Sequence, residues 1–247
     1  MMAGRSQHIL LAICILLSSL AHAVTWTSID VPGATATEAL RLNKAGQIVG
    51  LYTDGAHHTH GFLDDAGTFT TIDVPGSSQT VARGINDSGI IAGFYSTATN
   101  DAVGFIFDGQ TYTTIQFPGS QLTTANGINN AGEVVGWYGH GGSNPDFHGF
   151  KWANGVFTTI EVSPGETELV GINNRDYIVG FNAFSYDTYV ISPNGASRTL
   201  TFQGGGIAAG VNDNNILVGY IEDPNFKLVL SIASATTRSR ASITREH

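Results

Sequence analysis

Cysteine is almost absent from the chain, which narrows the chemistry that the protein can perform. The single cysteine among 247 residues is Cys14. It lies in a segment with the pattern of a secretory signal: Arg5, an apolar stretch from Ile9 to Leu20, and Ala21-His22-Ala23 at the cleavage site. Residues 1–23 are therefore predicted to be a signal peptide. Its removal would exclude disulfides, thiol nucleophiles and cysteine-based zinc sites.

Charged residues and long apolar runs are also scarce. Only 13% of the chain is charged, with 11 basic against 20 acidic residues and no basic cluster in the repeats. Phosphate neutralisation needs clustered Lys and Arg, so nucleic acid is not an expected partner. The apolar stretch of the signal is shorter than the roughly 20 residues that span a bilayer. We therefore expect a secreted, extracellular or periplasmic protein with no membrane insertion after cleavage.

No segment of the sequence shows sustained helical periodicity. The sequence instead contains a repeat. A line of the type Gly-Ile-Asn, then a turn, then Val-Gly-aromatic occurs five times, with its asparagines at Asn43, Asn86, Asn129, Asn173 and Asn212. The spacings are 43, 43, 44 and 39 residues. A period near 40 to 45 residues is typical of propeller blades, whereas a β-solenoid coil repeats at about half that length.

Each repeat divides into four short β-rich segments, here named strands a to d from the inside outward. In the second repeat they are Val81–Asn86, Ile90–Tyr95, Ala102–Phe107 and Thr111–Phe117. Four such strands with their turns make one blade. The sequence thus predicts an all-β fold: a single five-bladed antiparallel β-propeller over residues 24–232.

The two ends of the chain indicate how this ring closes. Thr25–Val31 matches Thr68–Val74, a d strand, but has no a, b or c strand before it. The last repeat supplies only a, b and c, ending near Ile232. We expect the N-terminal strand to close the last blade and thereby remove two sheet edges. Residues 233–247 are predicted to be a disordered tail, and the protein is expected to be a monomer.

These motifs resemble a known family. Phe69–Gly76, Gly84–Gly89, His60-Gly61-Phe62 and His148-Gly149-Phe150 are similar to the extracellular HAF-repeat proteins of bacteria. The resemblance covers residues from about 25 to 230. It implies a secreted or cell-surface propeller and assigns no activity.

Structural roles are expected for the most regular columns of the repeat. Each asparagine of the column precedes a turn and is predicted to cap it through its own backbone. The glycines before four of them, Gly84, Gly127, Gly171 and Gly210, are expected to let neighbouring blades approach closely, with Arg41 at this place in the first blade.

The candidate binding residues lie at the ends of the b strands and in the loops that follow. Tyrosines close three b strands, and carboxylates and imidazoles stand beside them. An aromatic ring next to a carboxylate suits a sugar, which offers a C–H face and hydroxyls. The candidate ligand-binding residues are Tyr52, Asp54, His57, His60, Tyr95, Asp101, Tyr138, His140, Asp146 and His148.

No motif in the chain specifies catalysis or a cofactor. His57-His58-Thr59-His60 offers two imidazoles to a metal, but no carboxylate stands at a fixed spacing, although Asp54 is near in sequence. We expect no metal, no cofactor and no catalytic residues. The leading hypothesis is a secreted module that binds a glycan or another extracellular or cell-envelope polymer. The alternatives are a hydrolase or lyase that uses loop His and Asp residues, and a structural or protein-interaction scaffold.

Overall fold

The fold consists of short antiparallel strands throughout. The computed structural model describes residues 28–98, 102–141, 146–163, 166–200 and 206–221, together with the backbone of 231–234 and 242–243. Within these ranges every regular element is a strand, and no helix is long and apolar enough to cross a membrane. The predicted all-β class is confirmed.

The strands follow the predicted succession of four in each repeat. The first unit contains β1 (Ala36–Leu42), β2 (Ile48–Thr53), β3 (Thr59–Asp65) and β4 (Thr68–Ile72). The second contains β5 (Gln79–Ile85), β6 (Ile91–Ser96), β7 (Ala102–Phe107) and β8 (Tyr112–Ile115). The third contains β9 (Leu122–Ile128), β10 (Val134–Gly139), β11 (His148–Ala153) and β12 (Val156–Ile160). The fourth contains β13 (Thr167–Ile172), β14 (Ile178–Asn182), β15 (Thr188–Ile191) and β16 (Ser197–Leu200).

The last unit differs from its predicted form. It contains β17 (Gly206–Val211), β18 (Ile216–Ile221), β19 (Ser231–Ser234) and β20 (Ser242–Ile243). The outer position, expected for the N-terminal strand, is held by β20, from the segment predicted to be disordered. Residues 28–31 form no strand, and residues 24–27 lie outside the described part. β19 is paired on both sides, with β18 and with β20.

Neighbouring strands within each unit pair as an antiparallel meander. A parallel pair, Ala102 with Leu122, joins β7 to β9 and links the second and third units, and a parallel bridge between Phe147 and Glu166 links the third and fourth. Each inner pair contains a bulge, at Leu40, Arg83, Asn126, Val170 and Ala209. A bulge inserts one extra residue and bends the strand. It recurs at the same repeat position in all five units.

The bulge explains the glycine of the Val-Gly-aromatic line. A Cβ atom at any of these glycines would overlap the carbonyl oxygen of the facing inner strand: Gly50, Gly93, Gly136, Gly180 and Gly219. Only glycine permits this approach of two backbones.

The glycines before the asparagine column bring successive inner strands together. A Cβ on Gly127 would lie 2.9 Å from the Cα of Gly171, and a Cβ on Gly84 would lie 3.3 Å from the Cα of Gly127. The predicted close approach of neighbouring units is therefore confirmed at Gly84 and Gly127, whereas a Cβ on Gly171 or Gly210 would make only ordinary contacts.

The apolar core lies between adjacent units. One cluster joins Val49 and Ile72 of the first unit to Ile85 and Phe105 of the second. The aromatic rings of the outer strands pack on buried phenylalanines, as in the pair Phe150 and Phe157, whose centroids are 5.2 Å apart. Phe157 also contacts Phe117 of the preceding unit, with centroids 5.1 Å apart, so packing within and between units accounts for this outer aromatic ring.

The asparagine column caps the turns as predicted. In Asn86 the side-chain Oδ1 accepts hydrogen bonds from the backbone N–H of Ser88 and Ile90, both at 3.0 Å. Its Nδ2 also donates to the carbonyl of Asn129 in the next unit. The same side chain therefore closes one turn and joins two units.

A second set of side chains, the residues directly after the column, links the units in sequence. The backbone N–H of each donates to the side-chain oxygen of the next, from Lys44 to Asp87, Asn130, Asn174 and Asp213. We call these five residues the inner belt. The Nζ of Lys44 lies 3.5 Å from Asp87 and 3.6 Å from Asp213, so the first and fifth units are in contact.

Candidate functional site

The loop between β2 and β3 fixes one carboxylate in a defined direction. The backbone N–H groups of Ala56 and His58 both donate to Oδ1 of Asp54, each at 2.8 Å. His57 adopts a left-handed backbone conformation, with φ of 68°, which closes the turn. The backbone N–H of His58, together with hydrogen bonds to the imidazoles, lowers the pKa of Asp54 to about 2. Oδ2 of this ionised carboxylate is left to face two histidines.

His60, at the start of β3, lies between two carboxylates. Its Nδ1 is 2.8 Å from Asp73 and its Nε2 is 3.4 Å from Asp54. Its ring stacks on Tyr52, with centroids 5.0 Å apart. The tyrosine hydroxyl is in turn hydrogen bonded to Thr71. Although partial burial opposes it, the hydrogen bonds to Asp73 and Asp54 raise the pKa of His60.

His58 completes this group, which we call the first-unit cluster: Asp54, His58, His60 and Asp73. The Nδ1 of His58 lies 3.4 Å from the same Oδ2 of Asp54, and its side chain is 65% exposed. One donor atom each from Asp54, His58 and His60 lies within 4.8 Å of the other two. The sequence showed no carboxylate at a fixed spacing that would complete a metal site with these histidines. In the folded chain Asp54 supplies that carboxylate, so the argument against a set of metal ligands does not hold.

The third unit carries a related group, the third-unit cluster: His140, Asp146, His148 and Glu161. Oδ2 of Asp146 lies 3.0 Å from His140 and 3.1 Å from His148, whose other ring nitrogen is 2.5 Å from Glu161. Although burial opposes it, the hydrogen bonds to Glu161 and Asp146 raise the pKa of His148. Hydrogen bonds from the backbone and side chain of His140 lower the pKa of Asp146.

Both clusters occupy one position of the repeat. Tyr52 pairs with His60 across β2 and β3, and Tyr138 pairs with His148 across β10 and β11. In each cluster the outer carboxylate lies 13 residues after the histidine of the c strand. The two clusters are therefore presented at the same edge of alternate units.

The second and fourth units have a different composition there. Tyr95 pairs with Val103, and it packs against the apolar cluster between the first two units. Gln116 stands where the other units have Asp73 and Glu161, and it donates to Ser120. The predicted site residue Asp101 lies outside the described residues. In the fourth unit the place of the tyrosine is taken by Asn182.

The structure places the predicted tyrosines Tyr52 and Tyr138 against the histidines of the clusters. The ring of Tyr138 lies between Phe117, with centroids 3.5 Å apart, and His148, with centroids 5.1 Å apart. Both faces are covered, so this ring cannot stack on a sugar. Its hydroxyl contacts Thr159. The tyrosine holds a histidine in place, and Tyr52 does the same for His60.

In the first loop the structure places His58, and not the predicted His57, beside the carboxylate of Asp54. The backbone N–H of His57 donates to the carbonyl of Asp54, whereas the side chain of His58 faces the carboxylate. Asp73 and Glu161 were missed altogether. The signal for both was their common distance of 13 residues from a histidine, which crosses one c–d hairpin.

A second candidate site is the central cavity. Inner strands and turns of all five units line this space of about 740 Å³. The guanidinium of Arg41 donates to the carbonyls of Leu40, Val170 and Ala209. Burial, together with the nearby charge of Arg83, lowers the pKa of Arg41 to about 10. All its described contacts are to backbone oxygens, so this arginine is bound to the protein itself.

Comparisons with known proteins establish the fold class. No protein-family model and no curated protein sequence matches the chain. Among solved structures, a streptogramin B lyase matches with a TM-score of 0.56 and 12% identity, covering 87% of this chain and 70% of the lyase. A putative TolB from Agrobacterium tumefaciens gives 0.58 and 13%, covering 84% and 80%.

TolB from Acinetobacter baumannii gives a TM-score of 0.57 with 16% identity. The match covers 80% of this chain and about half, 52%, of that protein. The structures that match are propeller proteins, and the antiparallel four-stranded units described above agree with that architecture. The fold is therefore of the β-propeller type, and identities this low carry no information about function.

Proposed function

We propose that the protein is a secreted or periplasmic binding module that holds a glycan or another extracellular or cell-envelope polymer. The observation that carries this proposal is the recurrence of one histidine–carboxylate cluster at the same repeat position of the first and third units. A rigid scaffold that presents equivalent sites at fixed spacing suits a ligand whose own groups repeat.

The scaffold in this proposal is a five-bladed ring of the HAF-repeat type, exported by the signal at residues 1–23. Support for closure comes from Arg41 and Lys44 of the first unit, which contact Ala209 and Asp213 of the fifth. The N-terminal strand over residues 24–31 remains a proposed part of the last blade, and the monomer remains the proposed state.

The chemistry of the clusters favours a hydroxyl-rich, uncharged ligand. Each cluster offers ionised carboxylates and imidazole edges that are partly exposed, as in Asp146, whose side chain is 35% exposed. Carboxylates accept hydrogen bonds from hydroxyl groups, and charge-assisted hydrogen bonds are stronger than neutral ones. The formal charge of −9 disfavours polyanions. Specificity would come from these hydrogen bonds, since the ring of Tyr138 is already stacked on Phe117 and His148.

A glycan array, followed by retention on the polysaccharide that scores highest, tests the proposal. Asp54→Asn and Asp146→Asn each remove one carboxylate, and the double variant removes both. Each single variant should keep weak binding, and the double variant should lose roughly 100-fold or more, because avidity depends on two sites. His57→Asn, in the same loop but outside the cluster, is the matched control. Unchanged retention by a folded double variant would contradict the proposal.

The alternative function is a hydrolase or lyase. The observation in its favour is that Asp73 lies 2.8 Å from Nδ1 of His60, an arrangement that orients an imidazole for general acid–base catalysis. Product release from a bound polysaccharide, abolished by His60→Asn with binding retained, would establish this alternative. The absence of both binding and turnover on every glycan tested would favour the third alternative, a protein-interaction scaffold.

A further inference from the structure

The distances within the first-unit cluster are too long for strong hydrogen bonds. The Oδ2 atom of Asp54 lies 3.4 Å from Nε2 of His60 and 3.4 Å from Nδ1 of His58. Good hydrogen bonds to a carboxylate are about 2.7–2.9 Å long. Two imidazole nitrogens therefore face one carboxylate oxygen at distances longer than a good hydrogen bond.

This separation is the one expected for ligands around a tetrahedral ion. Zinc–nitrogen and zinc–oxygen bonds of about 2.0–2.1 Å place neighbouring ligand atoms roughly 3.3–3.4 Å apart. All three donor atoms lie within 4.8 Å of one another, so a single ion can reach each of them. In the described part of the chain, this is the one set of three donors that meets the limit.

The ligands are also held by the groups around them. Backbone N–H groups fix Oδ1 of Asp54 and leave Oδ2 free to bind. The Nδ1–H of His60 is directed at Asp73, 2.8 Å away, which leaves Nε2 as the coordinating atom. A carboxylate behind a metal-binding histidine sets its tautomer and orientation.

We propose that Asp54, His58 and His60 bind a divalent transition-metal ion of the zinc type, with Asp73 as the residue that orients His60. Two imidazoles and one carboxylate suit zinc, nickel or copper, and not calcium or magnesium, which prefer oxygen ligands alone. Three protein ligands leave a fourth position, accessible from solvent because His58 is 65% exposed. This proposal does not rest on polymer binding.

The third-unit cluster serves as the internal comparison. There the corresponding contacts of Asp146 are 3.0 and 3.1 Å, the lengths of hydrogen bonds. The imidazoles of the third-unit cluster are therefore hydrogen bonded to Asp146, whereas those of the first-unit cluster stand 3.4 Å from Asp54, at the separation of metal ligands. We assign the metal to the first unit on this difference.

The experiment uses the purified protein, stripped with a chelator, desalted and titrated with zinc chloride by calorimetry. The expected result is one equivalent of zinc that His58→Ala abolishes. Asp73→Asn should weaken the affinity roughly 10–100-fold. His148→Ala and His57→Asn are the matched controls and should retain that equivalent. Cobalt substitution should give the visible absorption of a tetrahedral site in the same variants that bind zinc.

The outcomes are distinct from those of the polymer assay, because no polymer is present. Absence of zinc binding by the unaltered protein would overturn the proposal, as would full zinc binding by His58→Ala. Loss of the equivalent in His148→Ala alone would also overturn it. His58 is exposed, so its replacement should leave thermal unfolding unchanged. If a His60→Ala variant failed to fold, the His58→Ala variant would still test the metal proposal.

Discussion

Replacement of Gly127 by alanine tests how closely the inner strands approach. The new Cβ would lie 2.9 Å from the Cα of Gly171 and 3.2 Å from the backbone nitrogen of Ile172. Both neighbours are backbone atoms of the next unit, so no side chain can rotate to make room. Ordinary contact begins near 3.4 Å, and the two strands would have to separate by about half an ångström.

The expected cost follows from this overlap. Overpacking of a close-packed interior costs roughly 1–3 kcal/mol, and we expect about 2 kcal/mol for Gly127→Ala. In a domain of this size, that corresponds to a melting temperature lower by roughly 4–8 °C. Thermal unfolding followed by circular dichroism or calorimetry measures the shift.

The next unit provides the control at the same repeat position. A Cβ on Gly171 would lie 3.5 Å from the Cα of Gly210 and 3.6 Å from Val179, which are ordinary contacts. Gly171→Ala should be neutral or stabilising by up to about 1 kcal/mol, because alanine restricts the unfolded chain. Gly84→Ala, with its nearest contact at 3.2 Å, should fall between the two. Equal melting temperatures for all three variants would refute the reasoning.

Three further predictions concern partly buried polar and aromatic side chains. Burial raises the pKa of Glu168 from 4.5 to about 7, although the charge of Arg83 opposes this shift. The contribution of the protonated side chain to the stability of the fold is therefore fully present below pH 4.5 and is lost as the pH rises through 7. Glu168→Gln should remove up to roughly 3 kcal/mol of this pH dependence, measured by urea unfolding between pH 5 and pH 8. Arg41→Met leaves three carbonyls from three units without their charged hydrogen-bond donor. The free energy of unfolding should fall by at least about 3 kcal/mol in the same assay. A loss below about 1 kcal/mol would show that these hydrogen bonds do not hold the units together. Tyr138→Phe should lose about 1 kcal/mol with its hydroxyl contact, and Tyr138→Ala clearly more, because the ring is packed on both faces; an unaltered melting temperature for the alanine variant would restore the ring to a binding role.

The repeat made much of the fold predictable. The asparagine column, its turns and the glycines between units follow from local chemistry, because a cap and a close backbone approach each restrict the residue type. The role of Gly136 and its equivalents could not be predicted in the same way. It depends on a bulge in the facing strand, which leaves no pattern of its own in the sequence.

The candidate site was predictable only in part. His60 and His148 stood out because they share a repeat position. The choice between His57 and His58 depended on the backbone turn, in which a φ of 68° at His57 directs the next side chain toward Asp54. Asp73 reaches His60 across a hairpin, and a lone aspartate at a strand end has no distinguishing signal.

The inner belt carries information about the order of the units. Around the cavity its residues run lysine, aspartate, asparagine, asparagine, aspartate, so the one cation stands between the two carboxylates of Asp87 and Asp213. If the chain skipped its last unit, Lys44 would meet the neutral amide of Asn174 and lose one ion pair. Asn130 and Asn174 are identical, however, so an internal unit could be deleted or duplicated without altering the charges at the junction. The belt therefore identifies the two ends of the repeat array while leaving the number of units between them open to evolutionary change.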